Sequence, residues 1–366
     1  MSVLVSDPAP ADARTGPRAD LPLLVALAVE LLALAVVPRV VTVDGPAHVL
    51  GGHVLTAQLD PSELVRRFYE VDIGPVPNLL ATWLLGALLL VLGPDAAEKA
   101  LVALHVVLLP LALRYALRGV DPRAGWLAVA AVPFTFGYLF SYGFYNFLLA
   151  VSLSLLVVGL ALRRRSGWTA RSVLGLAALL LLTWTAHLLP VLVAGGTAAV
   201  LALARVRWAV RTGEGLVPAA RRHALPVALA GVPVLALTVR FAGSDAAERG
   251  APERLGLVDL VAGLLGLGKP LVVHGPLEHL PALVVAAALA AVAVGARRTA
   301  VRTPEREALV AAGLLVTVAY LLSPQRYGIE YGFLNDRLAT FPPLLLVLAA
   351  AAPPPSARAR RRVVAA

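Results

Sequence analysis

Cysteine is absent from all 366 residues. Disulfide frameworks, thiolate metal sites and thiol nucleophiles are therefore excluded. Charge is scarce as well: 15% of residues are Asp, Glu, Lys or Arg, against 59% hydrophobic, and the mean hydropathy is +0.81. A soluble domain needs a solvated surface that this composition does not supply. No polar stretch between the apolar runs is long enough for a separate soluble domain, and no internal repeat marks two related halves. Lysine is nearly missing, with 30 of the 32 basic residues being Arg. These lie in short clusters at the ends of apolar runs, so the +10 net charge reads as a membrane-orientation signal and a contact for anionic lipid, not as a nucleic-acid surface.

What is present is a series of apolar runs. A hydrocarbon core of roughly 30 Å takes about 17 to 25 helical residues to cross, and the expected spans are 21–38, 100–118, 124–140, 144–162, 172–189, 190–206, 224–241, 281–296, 308–323 and 340–354. The spans at 172–206 are short, and a long tilted helix or a shallow hairpin is the alternative there. The expected fold is all-α, a polytopic bundle of about ten transmembrane helices plus a juxtamembrane helix at 78–93. Counting 78–93 as a full crossing would put Arg118, Arg123 and Arg163-Arg164-Arg165 outside, against the positive-inside tendency. With 78–93 at the surface, inner loops hold 22 Lys+Arg against 7 Asp+Glu and outer loops 10 against 14, with Glu30 inside the first span. The organisation expected is a cytoplasmic tail at 1–20, one plasma-membrane domain at 21–354 with outer loops 39–99 and 242–280, and a basic cytoplasmic tail at 355–366. The first helix is read as retained, because no small-residue cleavage site follows it.

The first outer loop carries Asp44-Gly45-Pro46-Ala47-His48. Pro46 suits a first helical turn and Asp44 a cap, so one reading of Asp44 is structural. The other makes Asp44, with His48 one turn on, a general base or metal ligand at the membrane surface. Five of seven histidines, His48, His53, His187, His274 and His279, fall on the outer side, yet none has the i,i+4 spacing of a zinc helix. Tyr142, Tyr145 and Asn146 form either an aromatic belt or a sugar-orienting turn. The last outer segment gathers Arg326, Glu330, Asn335, Asp336 and Arg337 before an apolar run, as a polar pocket wall or as interface anchors. Gly263 to Pro270 matches most of a phosphate-binding loop, but Pro270 replaces the magnesium-binding hydroxyl and no strand precedes it, so nucleotide binding is rejected. Lys269 within it remains a phosphate contact or a snorkelling lysine. Glu30, buried mid-helix, is either paired, protonated or part of a proton relay.

This layout resembles the C-type fold of polytopic glycosyltransferases that use lipid-phosphate-linked sugars. The resemblance is one of arrangement over residues 21–165: a first span, an outer loop with an early acidic residue at Asp44, and a Pro-led helix after it at Pro75-Val76-Pro77-Asn78-Leu79-Leu80. One acidic residue stands where many members carry a pair, and no soluble C-terminal domain follows. The resemblance implies sugar transfer from a polyprenyl-phosphate donor to an envelope glycan or lipid acceptor on the outer face. Asp44 would be the base, Arg337 or Lys269 would stabilise the departing phosphate, and a divalent metal (Mg or Mn) near Asp44 and His48 would share the charge, without a nucleotide. A transporter or lipid flippase, and a noncatalytic envelope-assembly protein, are the alternative readings.

Overall fold

The computed structural model describes residues 20–59, 64–71, 74–244, 251–273, 275–299, 302–327 and 332–351. Among these the chain is almost wholly helical. The α-helices are α1 (Leu21–Val36), α2 (Gly45–Ala57), α3 (Leu80–Leu89), α4 (Pro94–Val120), α5 (Tyr138–Ser141), α6 (Tyr145–Arg163), α7 (Ala170–Ala186), α8 (Leu188–Arg211), α9 (Leu216–Ser244), α10 (Leu257–Leu265), α11 (Gly268–Leu271), α12 (His279–Thr299), α13 (Pro304–Leu322), α14 (Leu334–Leu338) and α15 (Phe341–Ala349). Two-residue strands, β1 (Pro252–Glu253) and β2 (Arg326–Tyr327), pair antiparallel and tie two loops together. Proline opens the first turn of α1, α2, α4, α13 and α15, where its missing N–H costs nothing. A Thr169/Ser172 capping box starts α7. Among the described residues five helical segments are long and apolar enough to cross a membrane: α4, α6, α8, α9 and Pro276–Ala296, which contains most of α12.

The centre of the bundle is α6, with 16 of its 19 residues buried, packed on α4. Glycines allow that approach. A Cβ on Gly159 would lie 2.5 Å from the Tyr115 ring, and one on Gly119 2.8 Å from Leu162 Cβ. The helices α7 and α8 pack on α6, α9 packs on α7 and α8, and α13 lies between α8 and α15.

Two expected spans differ in form, and the two expected at 172–206 are found as such. Residues 124–140 are not one α-helix: Ala124–Phe134 is a 3-10 helix containing Pro133, followed by a turn and α5. At about 2 Å rise per residue this thinner helix covers more distance than an α-helix of equal length, so the segment still runs between opposite ends of the bundle. Residues 340–354 are α15, nine residues long, prefaced by α14. Residues 172–206 are two separate helices, with α8 continuing to Arg211 and the break at His187. At 10 residues, α3 is about 15 Å long by helical rise, about half of a hydrocarbon core.

The helix ends sort into two groups. At one, Arg205 donates to the carbonyls of Ala161, Leu162 and Arg164 at the close of α6 (2.9 to 3.1 Å) and to Glu305 Oε1 at the start of α13 (3.0 and 3.1 Å). Arg165 donates to Gly119 and Val120 O at the end of α4, and Arg114 pairs with Asp20 at the start of α1. These cations satisfy carbonyls that a helix leaves unpaired at its last turn. The opposite end gathers the residues of the next section.

Candidate functional site

The loop that leaves α1 is held against the turn before α6 by backbone bonds, Val43 N to Ser141 O (3.0 Å) and Asp44 N to Tyr142 O (2.9 Å). Gly143 makes the fit possible. Its φ is +77°, and a Cβ there would meet Gly45 N at 2.7 Å and Thr42 Oγ1 at 2.8 Å. Beneath this contact runs a chain of side chains: Tyr145 donates its hydroxyl hydrogen to Glu98 Oε1 (2.6 Å) and accepts from Thr42 Oγ1 (3.1 Å), which in turn accepts from Gly45 N (3.1 Å). Glu98 and Tyr145 are buried. Neither Glu98 nor Thr42 stood out in the sequence. The signal available was an acidic residue one turn inside an apolar helix.

Asp44 occupies the N-cap position of α2, yet its carboxylate caps no N–H, so the purely structural reading does not account for it. Its charge acts on both His48 and Arg337. His48 follows one turn later, its N–H on Asp44 O (3.0 Å) and its ring 5.5 Å from that of Tyr145. Burial holds the His48 imidazole below the ordinary histidine range, against the opposing pull of Asp44 and the Gly143 backbone. Arg337 comes from α14 at the far end of the sequence. Its guanidinium lies over the Phe144 ring at 4.5 Å and donates to Gly332 O (3.1 Å), while its buried Nε meets no partner among the described residues. Burial pulls its pKa down to about 10, opposed by Asp336 and Asp44. His187 stacks edge-on against Phe147 at 5.3 Å, and its Nδ1 accepts from Leu189 N (3.1 Å), capping α8. Burial and the neighbouring Arg337 keep it well below the usual histidine range.

An aromatic wall flanks these groups. Phe333, in the left-handed region at φ +61°, places its ring 4.7 Å from Tyr142 and 5.2 Å from Phe144, and Tyr138 lies 4.9 Å from Tyr142. Non-glycine residues held there are strained, a feature concentrated at functional sites.

The other expected site residues are placed differently. Asn146 is fully engaged: its Oδ1 accepts from Ala81 N (2.6 Å) and its Nδ2 donates to Asn78 O (2.9 Å), so it fixes the start of α3. That helix begins at Leu80, three residues past Pro77, after Asn78 turns the chain at φ +72°. Asn335 donates to Tyr320 O (2.7 Å) and Ser323 O (3.0 Å), tying α14 to α13. Lys269 pairs with the fully buried Asp336 (3.1 Å), whose Oδ2 accepts from Gln325 (2.7 Å). Lys269 thus neutralises a carboxylate beside the wall, 5.5 Å from the Tyr138 ring. Arg326 is exposed and paired with Glu253 on the β1–β2 pairing. Glu330 and His274 lie outside the described residues; His53 and His279 are exposed, His279 beside Gly268.

Among the described residues no three His, Asp or Glu side chains gather to hold a metal. Of the expected ligands, Asp44 and His48 supply two side-chain donors, without a third among the described residues. No family model, curated protein or solved structure matches the chain.

Proposed function

We propose that the protein is a membrane glycosyltransferase of the C-type fold, with ten spans and cytoplasmic termini, that transfers a sugar from a polyprenyl-phosphate donor to an envelope acceptor at the outer face. The observation that carries this reading is that a carboxylate that caps nothing, Asp44, acts on both a histidine held below its ordinary range, His48, and an arginine that makes one side-chain hydrogen bond among the described residues, Arg337, at one end of an apolar bundle. The arginine-rich loops at the other end support the orientation.

Asp44 removes the proton of the acceptor hydroxyl as its oxygen attacks the anomeric carbon, and the bond from that carbon to the lipid phosphate oxygen breaks. Arg337 then meets the charge left on the phosphate, its plane held by Phe144. Lys269 is the weaker candidate for that role, since Asp336 already neutralises it. Tyr142 and Phe333 offer the aromatic face for a sugar ring. The test is transfer of radiolabel from a polyprenyl-phosphate sugar to an envelope acceptor by the purified protein, with Asp44→Asn beside it. Transfer by wild type and its loss in the variant is the expected outcome; equal transfer by both overturns the role of Asp44.

A transporter or flippase is the second reading, favoured by one observation: Glu30, inside α1, touches Thr135 in the apolar interior. Lipid or solute movement in vesicles without any sugar transfer would select it.

A further inference from the structure

Several cations at the arginine-rich end of the bundle are matched by acceptors. Arg114 pairs with Asp20 and Arg123 with Asp121, while Arg165 and Arg205 share Glu305 and hold the last carbonyls of α4 and α6. Arg118 and Arg163 differ. Arg118, in the last turn of α4, makes no side-chain hydrogen bond or ion pair among the described residues, and Arg163, the last residue of α6, donates only to the Gly159 carbonyl (3.0 Å).

The fold holds these two cations together. Arg163 lies over the Tyr115 ring at 3.6 Å, its Nη1 is 3.2 Å from where a Gly119 Cβ would stand, and its charge is close enough to that of Arg118 for the two to act on each other. Gly125 lets the segment after α4 close on Arg118, since a Cβ there would lie 2.8 Å from the guanidinium Nε. Both side chains remain half-buried. Two guanidiniums packed together without a carboxylate repel, and an anion from outside the chain relieves that repulsion.

The stripe of α4 that leads to this pair is open and apolar. Leu104 and Leu111 are 42% and 44% exposed, and with Arg118 they recur every seven residues, so the three share one face of the helix. Half-buried Leu108 and Tyr115 fill the same stripe. From Leu104 to Arg118 the helix rises about 21 Å, the depth of one leaflet with its headgroups in a bilayer of about 40 to 45 Å. A free phosphate would need only the cations; the apolar stripe below them fits a ligand that carries chains.

We propose that Arg118 and Arg163 form a binding site for the phosphate of an anionic phospholipid whose acyl chain lies along Leu104 and Leu111 of α4. This does not depend on the glycosyltransferase reading.

Native mass spectrometry of the full-length protein in detergent tests it, with phosphatidylglycerol or phosphatidylcholine of the same chains added. Wild type should retain one phosphatidylglycerol in preference to phosphatidylcholine, and Arg118→Gln or Arg163→Gln should each weaken that binding about fivefold, the effect of one surface cation. Arg207→Gln removes an exposed cation of α8 at the same end and should leave the binding unchanged. No preference in wild type, no loss in Arg118→Gln and Arg163→Gln, or an equal loss in all three variants overturns the site. Glycerol 3-phosphate offers a phosphate without chains; if it displaces phosphatidylglycerol at equal concentration, the lipid assignment is overturned. If Arg118→Gln does not fold, Arg163→Gln beside Arg207→Gln decides in the same way.

Discussion

Arg205 and Arg337 sit at opposite ends of the bundle, each withdrawn from solvent and each near an acidic residue, and they are bonded in different ways. Arg205 donates from Nε and both terminal nitrogens to three carbonyls and Glu305. Arg337 donates to one carbonyl, rests on Phe144 and keeps an unpaired Nε among the described residues. A charge count treats the two alike. Hydrogen-bond accounting separates them: the first closes helix ends, while the second has donors left for a ligand. The carboxylates divide in the same way, because Glu305 is taken by Arg205 and Arg165 whereas Asp44 caps nothing.

The sharpest way to break this comparison is Asp44→Asn. Transfer should fall by about 10²- to 10⁴-fold, the range for a general base, with thermal unfolding unchanged; equal loss of stability would make Asp44 a structural residue like Glu305. At the other end, Arg205→Met should cost about 3 to 5 kcal/mol, because buried Glu305 keeps only the more distant Arg165, at 3.6 Å, and three carbonyls lose their donor. Adding Glu305→Leu should return most of it in a double-mutant cycle read by unfolding in detergent. Tyr145→Phe leaves buried Glu98 without its donor and should cost about 1 to 3 kcal/mol. Because the same change loosens the loop bearing Asp44, transfer should fall too, which an end that is only structural would not show.

Acid sharpens the comparison further. His48 and His187 both have folded values below their unfolded ones. The unfolded chain therefore binds more protons as pH falls below about 6.5. Their contribution to stability is complete above that value and is lost as pH drops toward the folded values, at up to about 1.4 kcal/mol per pH unit for each group. Unfolding temperatures at pH 7.5 and 5.5 should diverge in wild type and diverge less in His187→Gln. The smallest effect is expected for Arg326→Ala, which removes an exposed pair with Glu253 worth about 0 to 1 kcal/mol; transfer should stay at the wild-type level.

Much of the frame was readable in the residues. Apolar runs and proline-led starts located most helices, and the arginine clusters separated the two ends of the bundle. The 3-10 stretch at Ala124–Phe134 was not readable, since its apolar composition suits either helix and tertiary packing selects the thinner one. Asp44, His48, Tyr142, His187 and Arg337 were singled out in the sequence by residue type, and the fold sets them near one another. The bonds by which Asn146 and Asn335 hold helix ends were not readable, because an amide that does so has the same appearance in sequence as one that binds a sugar. Glu98 was missed, since its importance comes from Tyr145 and Gly45, 47 and 53 residues away along the chain.

The sequence by itself determined that this chain is helical and built for an apolar surrounding, and which loops carry its cations. Those properties follow from composition and local periodicity, which need no knowledge of neighbours. Which polar group is left with bonding capacity was decided only by the tertiary structure. Burial and pairing depend on residues distant in the chain, and Arg337 beside Phe144, Asp336 beside Lys269, and Glu30 against Thr135 are contacts of that kind.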